Sequence, residues 1–370
     1  MNRVRRTGGR GQHPVALLVP PRADVARELG EVCRPLSWVP NAVYHGVMRR
    51  FSLPGVVSGV LRCEDGPQHP AGWLITVPVA PAELLTGSAR ARHAIDHAVT
   101  QARDLGAQTV GLGGLIATAT DDGRVLQHRR DIGLTNGHAF TAAMLFQGVQ
   151  RLLGLCPVGC RVAVVDAGTG LGRSLTGLLA RRSAGPLLLL EPDEDRRRTL
   201  PADLEASRTE ITPDLTRLGA ADLVVLLGPD NATPLEDGFL RAHLKPGAIV
   251  LDAAQPRLTR PELLLTRPDV RVVDGGLVSA PGVRRRGGGW PTGLLSAALA
   301  ETLLLGLTGQ QGHFSVGAAS VTQAEYLLGL ARRYAHLGFH LAPPHSFGQR
   351  INLNRRFEQA SWSGSGVALA

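Results

Sequence analysis

The sequence predicts an α/β protein: a Rossmann-type doubly wound parallel sheet, a mixed α/β domain before it, and helices after it that pack back on the first domain. Three observations predict this. Val162–Val165 is a short apolar run that suits a fully buried parallel strand, and it leads into Asp166, Gly168, Gly170 and Gly172 and then a helical stretch over 173–180. Apolar runs at 187–190, 223–227, 248–251 and 270–273 then alternate with polar or helical segments, as strands of such a sheet do. The 370 residues also suit about two domains.

The elements follow in order. Residues 1–12, basic and glycine-rich, read as a disordered arm, and 13–150 as an α/β substrate domain. Within that domain 15–19 and 72–79 read as strands and 23–32 as a helix, while Pro35 and Pro40 break the helical stretches of 34–50. Residues 90–105 form an amphipathic helix with Ala94, Ala98 and Ala102 on one face. Residues 108–111 lead into Gly113 and Gly114, the run 112–120 follows, and Asp121-Asp122-Gly123 reads as a hairpin-like turn.

Leu134 to His138 then feeds a long apolar helix over 139–153. A glycine turn entering a helix can cradle phosphate or carboxylate, so Gly113, Gly114, Thr135 and Asn136 are expected to face substrate. Helix capping alone explains Thr135 and Asn136 equally well.

Residues 155–283 form the nucleotide-binding domain, whose last strand ends at Asp274-Gly275-Gly276, the end at which such sheets bind ligands. Residues 284–289 (RRRGGG) read as a flexible basic loop, and 290–342 as the returning helices, apolar over 294–307 and amphipathic over 322–336. The polar tail 343–370 is expected to be loosely held.

The glycine turn predicts a cofactor pocket, with Asp166, Gly168, Thr169, Gly170, Gly172, Gly275 and Gly276 around it. Glu191, about twenty residues on at the end of the next strand, is placed to accept hydrogen bonds from ribose hydroxyls. An acid there favours NAD over NADP. The spacing departs from G-x-G-x-x-G by one residue, and D-A-G-T-G-L-G reads more naturally as the D/E-x-G-x-G-x-G loop of S-adenosylmethionine methyltransferases, which it closely resembles; Leu244-Lys-Pro-Gly247 also resembles a methyltransferase segment. S-adenosylmethionine therefore stands as the alternative cofactor.

Composition narrows the partners. The net charge of +9 is almost all arginine, scattered in small groups, and aromatics make up only 4% of residues, too few for a base-stacking platform. Nucleic acid is not expected, whereas an acidic partner such as an acyl carrier protein is compatible. Cys33, Cys63, Cys156 and Cys160 have neither metal-ligand spacing nor disulfide density, so no metal is expected. No apolar run reaches the roughly 18 residues of a membrane span, and no signal core follows the basic start, which reads as cytoplasmic.

Five segments in order, GLGGLIATA, TNGHAFTAA, VAVVDAGTGLG, VRVVDGGLVSAPG and LAETLLLGLTGQQGHFSVG, resemble the long-chain fatty acyl-ACP reductases over residues 91–339. Glutamyl-tRNA and shikimate dehydrogenases are similar more distantly, by architecture. The resemblance implies a two-domain NADPH enzyme in which a cysteine takes an acyl group from acyl carrier protein and hydride releases the aldehyde. Here Ala298 stands at the position of that cysteine, so the nucleophile is absent. Asp166 and Thr169 stand where the family has glycines, Glu191 where it has an arginine for the 2′-phosphate, and Phe140 at its histidine position. His138, two residues earlier, is the substitute acid or base. Three functions are open to this pattern: a reductase with altered chemistry, an S-adenosylmethionine-dependent transferase, or a non-catalytic binding protein.

Overall fold

The computed structural model describes residues 12–21, 25, 26, 30, 34–51, 53–64, 71–181, 185–200, 209–228, 237–287 and 291–353. Residues 1–11, most of 23–32 and 354–370 lie outside the described residues, and with them most of the expected arm, helix and tail.

Five strands make most of the first sheet: β1 (Val15–Val19), β2 (Val56–Cys63), β3 (Gly72–Thr76), β4 (Thr109–Leu112) and β5 (Gly133–Thr135). β1 pairs in parallel with β3 and β4, β4 pairs in parallel with β5, and β2 runs antiparallel along β3. Alternate residues of β1 serve two cores. Val15 and Leu17 face the central core, while Ala16 and Leu18 pack with Ala91, Ile95, Ala98 and Ala102 of helix α1 (Ala89–Asp104). Ser88 caps that helix, its hydroxyl accepting from the Ala91 amide at 3.1 Å. A short helix, α2 (Leu115–Ala119), follows the Gly113-Gly114 turn.

Helix α3 (His138–Leu153) leaves β5 and links the halves. Ala139, Phe140, Ala142, Met144, Leu145 and Val149 are all buried, because the second sheet and the C-terminal helices pack against it.

The second sheet holds β6 (Val162–Val165), β7 (Leu187–Leu190), β8 (Thr209–Thr212), β9 (Leu223–Leu226), β10 (Ile249–Asp252) and β11 (Arg271–Asp274), all parallel. Its order, β11-β10-β9-β6-β7-β8, is the doubly wound dinucleotide-binding order read from the far edge. Helix α4 (Gly170–Arg181) starts inside the glycine turn, earlier than the sequence predicts.

β12 (Leu277–Ser279) then joins a small sheet with Leu294–Ser296 and His340–Leu341. β13 (Val283–Gly287) crosses back and pairs antiparallel with β2. This corrects the flexible-loop expectation for 284–287. An edge strand tolerates outward charge, and Arg284 and Arg286 point out while Val283 is buried. Gly288 and Gly289 lie outside the described residues.

Helix α5 (Ala297–Thr308) begins three residues later than expected, because the Ser296 hydroxyl caps it by accepting from the Leu299 amide at 3.3 Å. α5 packs on β1 and β4, and α6 (Val321–Arg333) packs on α3, so the returning helices do cover the first domain. Residues 343–353 are not loose. The Asp274 carboxylate accepts from the amides of Phe347 at 2.9 Å and Gly348 at 2.8 Å, which ties this stretch to the end of β11.

Candidate functional site

Both sheets aim the carboxyl ends of their parallel strands at one crevice. From the first sheet come Gly113 and Gly114 after β4, and Asn136 and His138 after β5. From the second come Thr169, Gly170 and Leu171 after β6, Gly228 after β9, Gln255 after β10, and Gly275 and Gly276 after β11. Ala298, at the start of α5, lines the crevice between them. β6 and β9 are neighbours where the order of the second sheet reverses, the point at which ligands bind in such folds.

The glycine turn is built from within. Asp166 adopts a left-handed φ of 60° and is fully buried, and its carbonyl accepts from the Thr169 hydroxyl at 2.8 Å. That hydroxyl in turn accepts from the Gly172 amide at 3.0 Å. A Cβ on Gly172 would lie 2.6 Å from the Ala167 carbonyl oxygen, so only glycine lets the helix pack this close to the strand. The N–H groups of Gly170 and Leu171 make no hydrogen bond among the described residues, and both residues line the crevice. Two open donors at the positive end of a 12-residue helix form a cradle for an anion.

Glu191 does not serve as a ribose acid here. It is fully buried, with Oε2 accepting from the Gly168 amide at 2.9 Å and Oε1 from the Asp193 amide at 3.1 Å. Burial pushes its carboxyl pKa up, opposed by those amides. The carboxylate is spent on shaping the turn, and the expectation that it selects NAD is corrected. Gly168 is covered as well, since a Cβ there would lie 2.9 Å from the Arg196 carbonyl carbon and oxygen. Asp166, Gly168, Gly172 and Glu191 thus sit behind the crevice wall.

On the opposite wall Asn136 is saturated. Its amide nitrogen donates to the carbonyls of Gly317 at 2.7 Å and Asp122 at 3.1 Å, and its oxygen accepts from the Ser315 hydroxyl at 2.7 Å and the His138 amide at 3.0 Å. Asn136 lines the crevice but works as a cap and brace. Thr135, expected to face substrate, is fully buried and donates to Glu301, which corrects its role. Asp122 was missed as a site residue because Asp-Asp-Gly reads as a turn. The turn is left-handed instead, with φ of 51° at Asp121, 54° at Asp122 and 87° at Gly123, and it points the Asp122 carboxylate at His138 Nε2, 3.6 Å away. Asp122 and His138 are the ionisable residues among those lining the crevice. His138 Nδ1 is buried without a hydrogen-bond partner among the described residues.

Ala298 fits tightly against the turn at Gly137, whose missing Cβ would lie 2.6 Å from the Ala298 Cα. One helical turn on, Glu301 lies fully buried and accepts from the Phe140 amide at 2.8 Å, with the Gly137 and Ala139 amides also turned toward it. Burial raises its pKa to about 7 despite those donors. No described cysteine lines the crevice. Burial pushes the Cys63 thiol up to about 11 and Cys156 up to about 12, which suppresses thiolate chemistry. Among the described residues no cluster suits a metal ion, and no helix is long and apolar enough to cross a membrane.

No family model matches the chain. Aminotransferase PigE of Serratia sp. (strain ATCC 39006) is 24% identical over 295 residues, spanning 77% of this chain and 34% of PigE. The chain therefore spans about a third of that relative's length. The NAD-dependent malic enzyme of Thermotoga maritima aligns over 90% of this chain and 80% of its own, with 11% identity and a TM-score of 0.39. The nucleotide-binding domain of Thermoplasma volcanium glutamyl-tRNA reductase aligns over 36% of this chain and 84% of its own, with 13% identity and a TM-score of 0.26. The resemblance to acyl-ACP reductases is overturned, since this relative found by sequence is an aminotransferase. What the fold defines is a Rossmann-type α/β protein with a crevice between two sheets.

Proposed function

We propose that the crevice binds a nicotinamide dinucleotide and that the chain is an NAD(P)-dependent oxidoreductase interconverting a carbonyl and an alcohol. The observation that carries this is the pair of open N–H donors, Gly170 and Leu171, at the point where the strand order of the second sheet reverses. Those donors would hold the diphosphate, and Gly170 brings backbone close to it. Such a cofactor, once bound, supplies or accepts a hydride. The chain itself must then move one proton at the substrate oxygen, and His138 is the lining group suited to that, fixed at its backbone by Asn136. Ala298 offers no nucleophile, so the step proceeds without covalent capture of substrate.

The aminotransferase activity named for PigE is not carried over. Pyridoxal phosphate enzymes hold the cofactor on a lysine, and Lys245 is the only lysine in the chain. It lies at the amino end of the second sheet, ion-paired with Asp222 at 2.5 Å.

Thermal-shift titration with NADH, NADPH and S-adenosylmethionine tests the proposal. A dinucleotide should raise the melting temperature with the logarithm of its concentration. Stabilisation by S-adenosylmethionine alone would overturn it.

A further inference from the structure

We infer that Asp122 is a built-in competitor for the phosphate seat and sets how tightly this chain holds a dinucleotide. The inference rests on the dinucleotide reading above and adds a residue to it. In a dinucleotide-binding turn the second glycine is bare so that the pyrophosphate can lie against its backbone. Here Thr169 holds that position and Gly170 beside it is the bare glycine that lines the crevice, and the space its missing Cβ leaves is taken. A Cβ there would touch Asp122 Oδ2, lie 2.9 Å from Asp122 Cγ, and lie 3.1 Å from His138 Cε1. The crevice thus already holds an anion beside the Gly170 and Leu171 donors, supplied by the opposite domain.

The contact is constructed. Two non-glycine residues in succession, Asp121 and Asp122, take left-handed φ values of 51° and 54°, which is uncommon and costs energy. The turn is clamped on both sides of Asp122. Its amide donates to the Ala117 carbonyl at 2.8 Å, and its carbonyl accepts from the Gly317 amide at 2.9 Å and from Asn136 Nδ2 at 3.1 Å. The backbone is therefore fixed and only the side chain can move. Rotation about its χ1 withdraws the carboxylate from Gly170, and a phosphate that enters takes over that seat while His138 stays with the substrate. Until then each phosphate charge meets a carboxylate a few ångströms away, which costs affinity.

The test compares the dissociation constants of NADPH and NADH for the wild-type chain, Asp122→Asn and Asp122→Gly, read from nicotinamide fluorescence at low and high salt. Asparagine and glycine both tolerate left-handed backbone, so the turn survives either change. Both variants should bind at least about fivefold more tightly at low salt, and the gain should shrink toward one near 1 M salt as repulsion is screened. Binding by the variants with none by the wild type is the same result in its extreme form. Wild-type binding with no gain in either variant, or a gain indifferent to salt, overturns the inference and leaves the dinucleotide reading standing. No binding by any of the three chains sinks that reading, and the inference with it.

Discussion

Glu301 Oε2 accepts the backbone amide of Phe140 at 2.8 Å, so a buried carboxylate on α5 caps the first turn of α3, the turn that carries His138. Helix α5 thereby fixes the turn that carries His138, which lines the crevice. This link joins residues 161 apart in sequence.

Its protonation should be visible in stability. The folded-state pKa, raised to about 7 from 4.5, lies above the unfolded value, so the folded chain holds this proton more tightly. The resulting stability is complete below about pH 4.5 and is lost as pH rises to about 7. Denaturant unfolding should show wild type losing up to roughly 3 kcal/mol over that window that Glu301→Gln, which does not titrate, retains. Parallel pH profiles for the two proteins would contradict this.

Gly137 holds a φ of 79°, and a Cβ there would run into Ala298. Gly137→Ala should therefore cost about 2–4 kcal/mol, from left-handed strain plus overpacking. The denaturant midpoint reports it. A loss under about 0.5 kcal/mol would mean that α3 and α5 are not seated this closely.

His138→Gln should lower turnover of any carbonyl substrate by about 10²–10⁴-fold, the range for loss of a general acid or base. Dinucleotide affinity should move less than about threefold. Unchanged turnover would place the proton donor elsewhere.

Glu191→Ala should destabilise the chain by about 1–3 kcal/mol, because the Gly168 and Asp193 amides lose their acceptor. NADH and NADPH should weaken by the same factor. Selective loss of NADH would mean that the carboxylate does reach the ribose.

Most of the second domain was legible because each strand is a short, unbroken apolar run, and 162–165 and 187–190 match β6 and β7 at both ends. β2 and β13 were not, since VVSGVLRC and VRRRG have no sustained alternation and each needs the other as an edge partner. Within the crevice, Gly113, Gly114, His138, Gly170, Gly275 and Gly276 were found from glycine turns at strand ends. The orientation of Glu191 was not, because spacing places a carboxylate at the strand end without saying which amides it meets. Asp122 was hidden for a related reason: a turn signal gives a reversal of the chain, whereas its role comes from Gly170 in the other domain.

The most direct measurement is a crystal structure of the chain soaked with NADPH or NADH. Pyrophosphate density against the Gly170 and Leu171 amides, with the Asp122 side chain turned away, is the predicted result. A crevice still filled by Asp122 at saturating dinucleotide, or the cofactor bound at another surface, would contradict it.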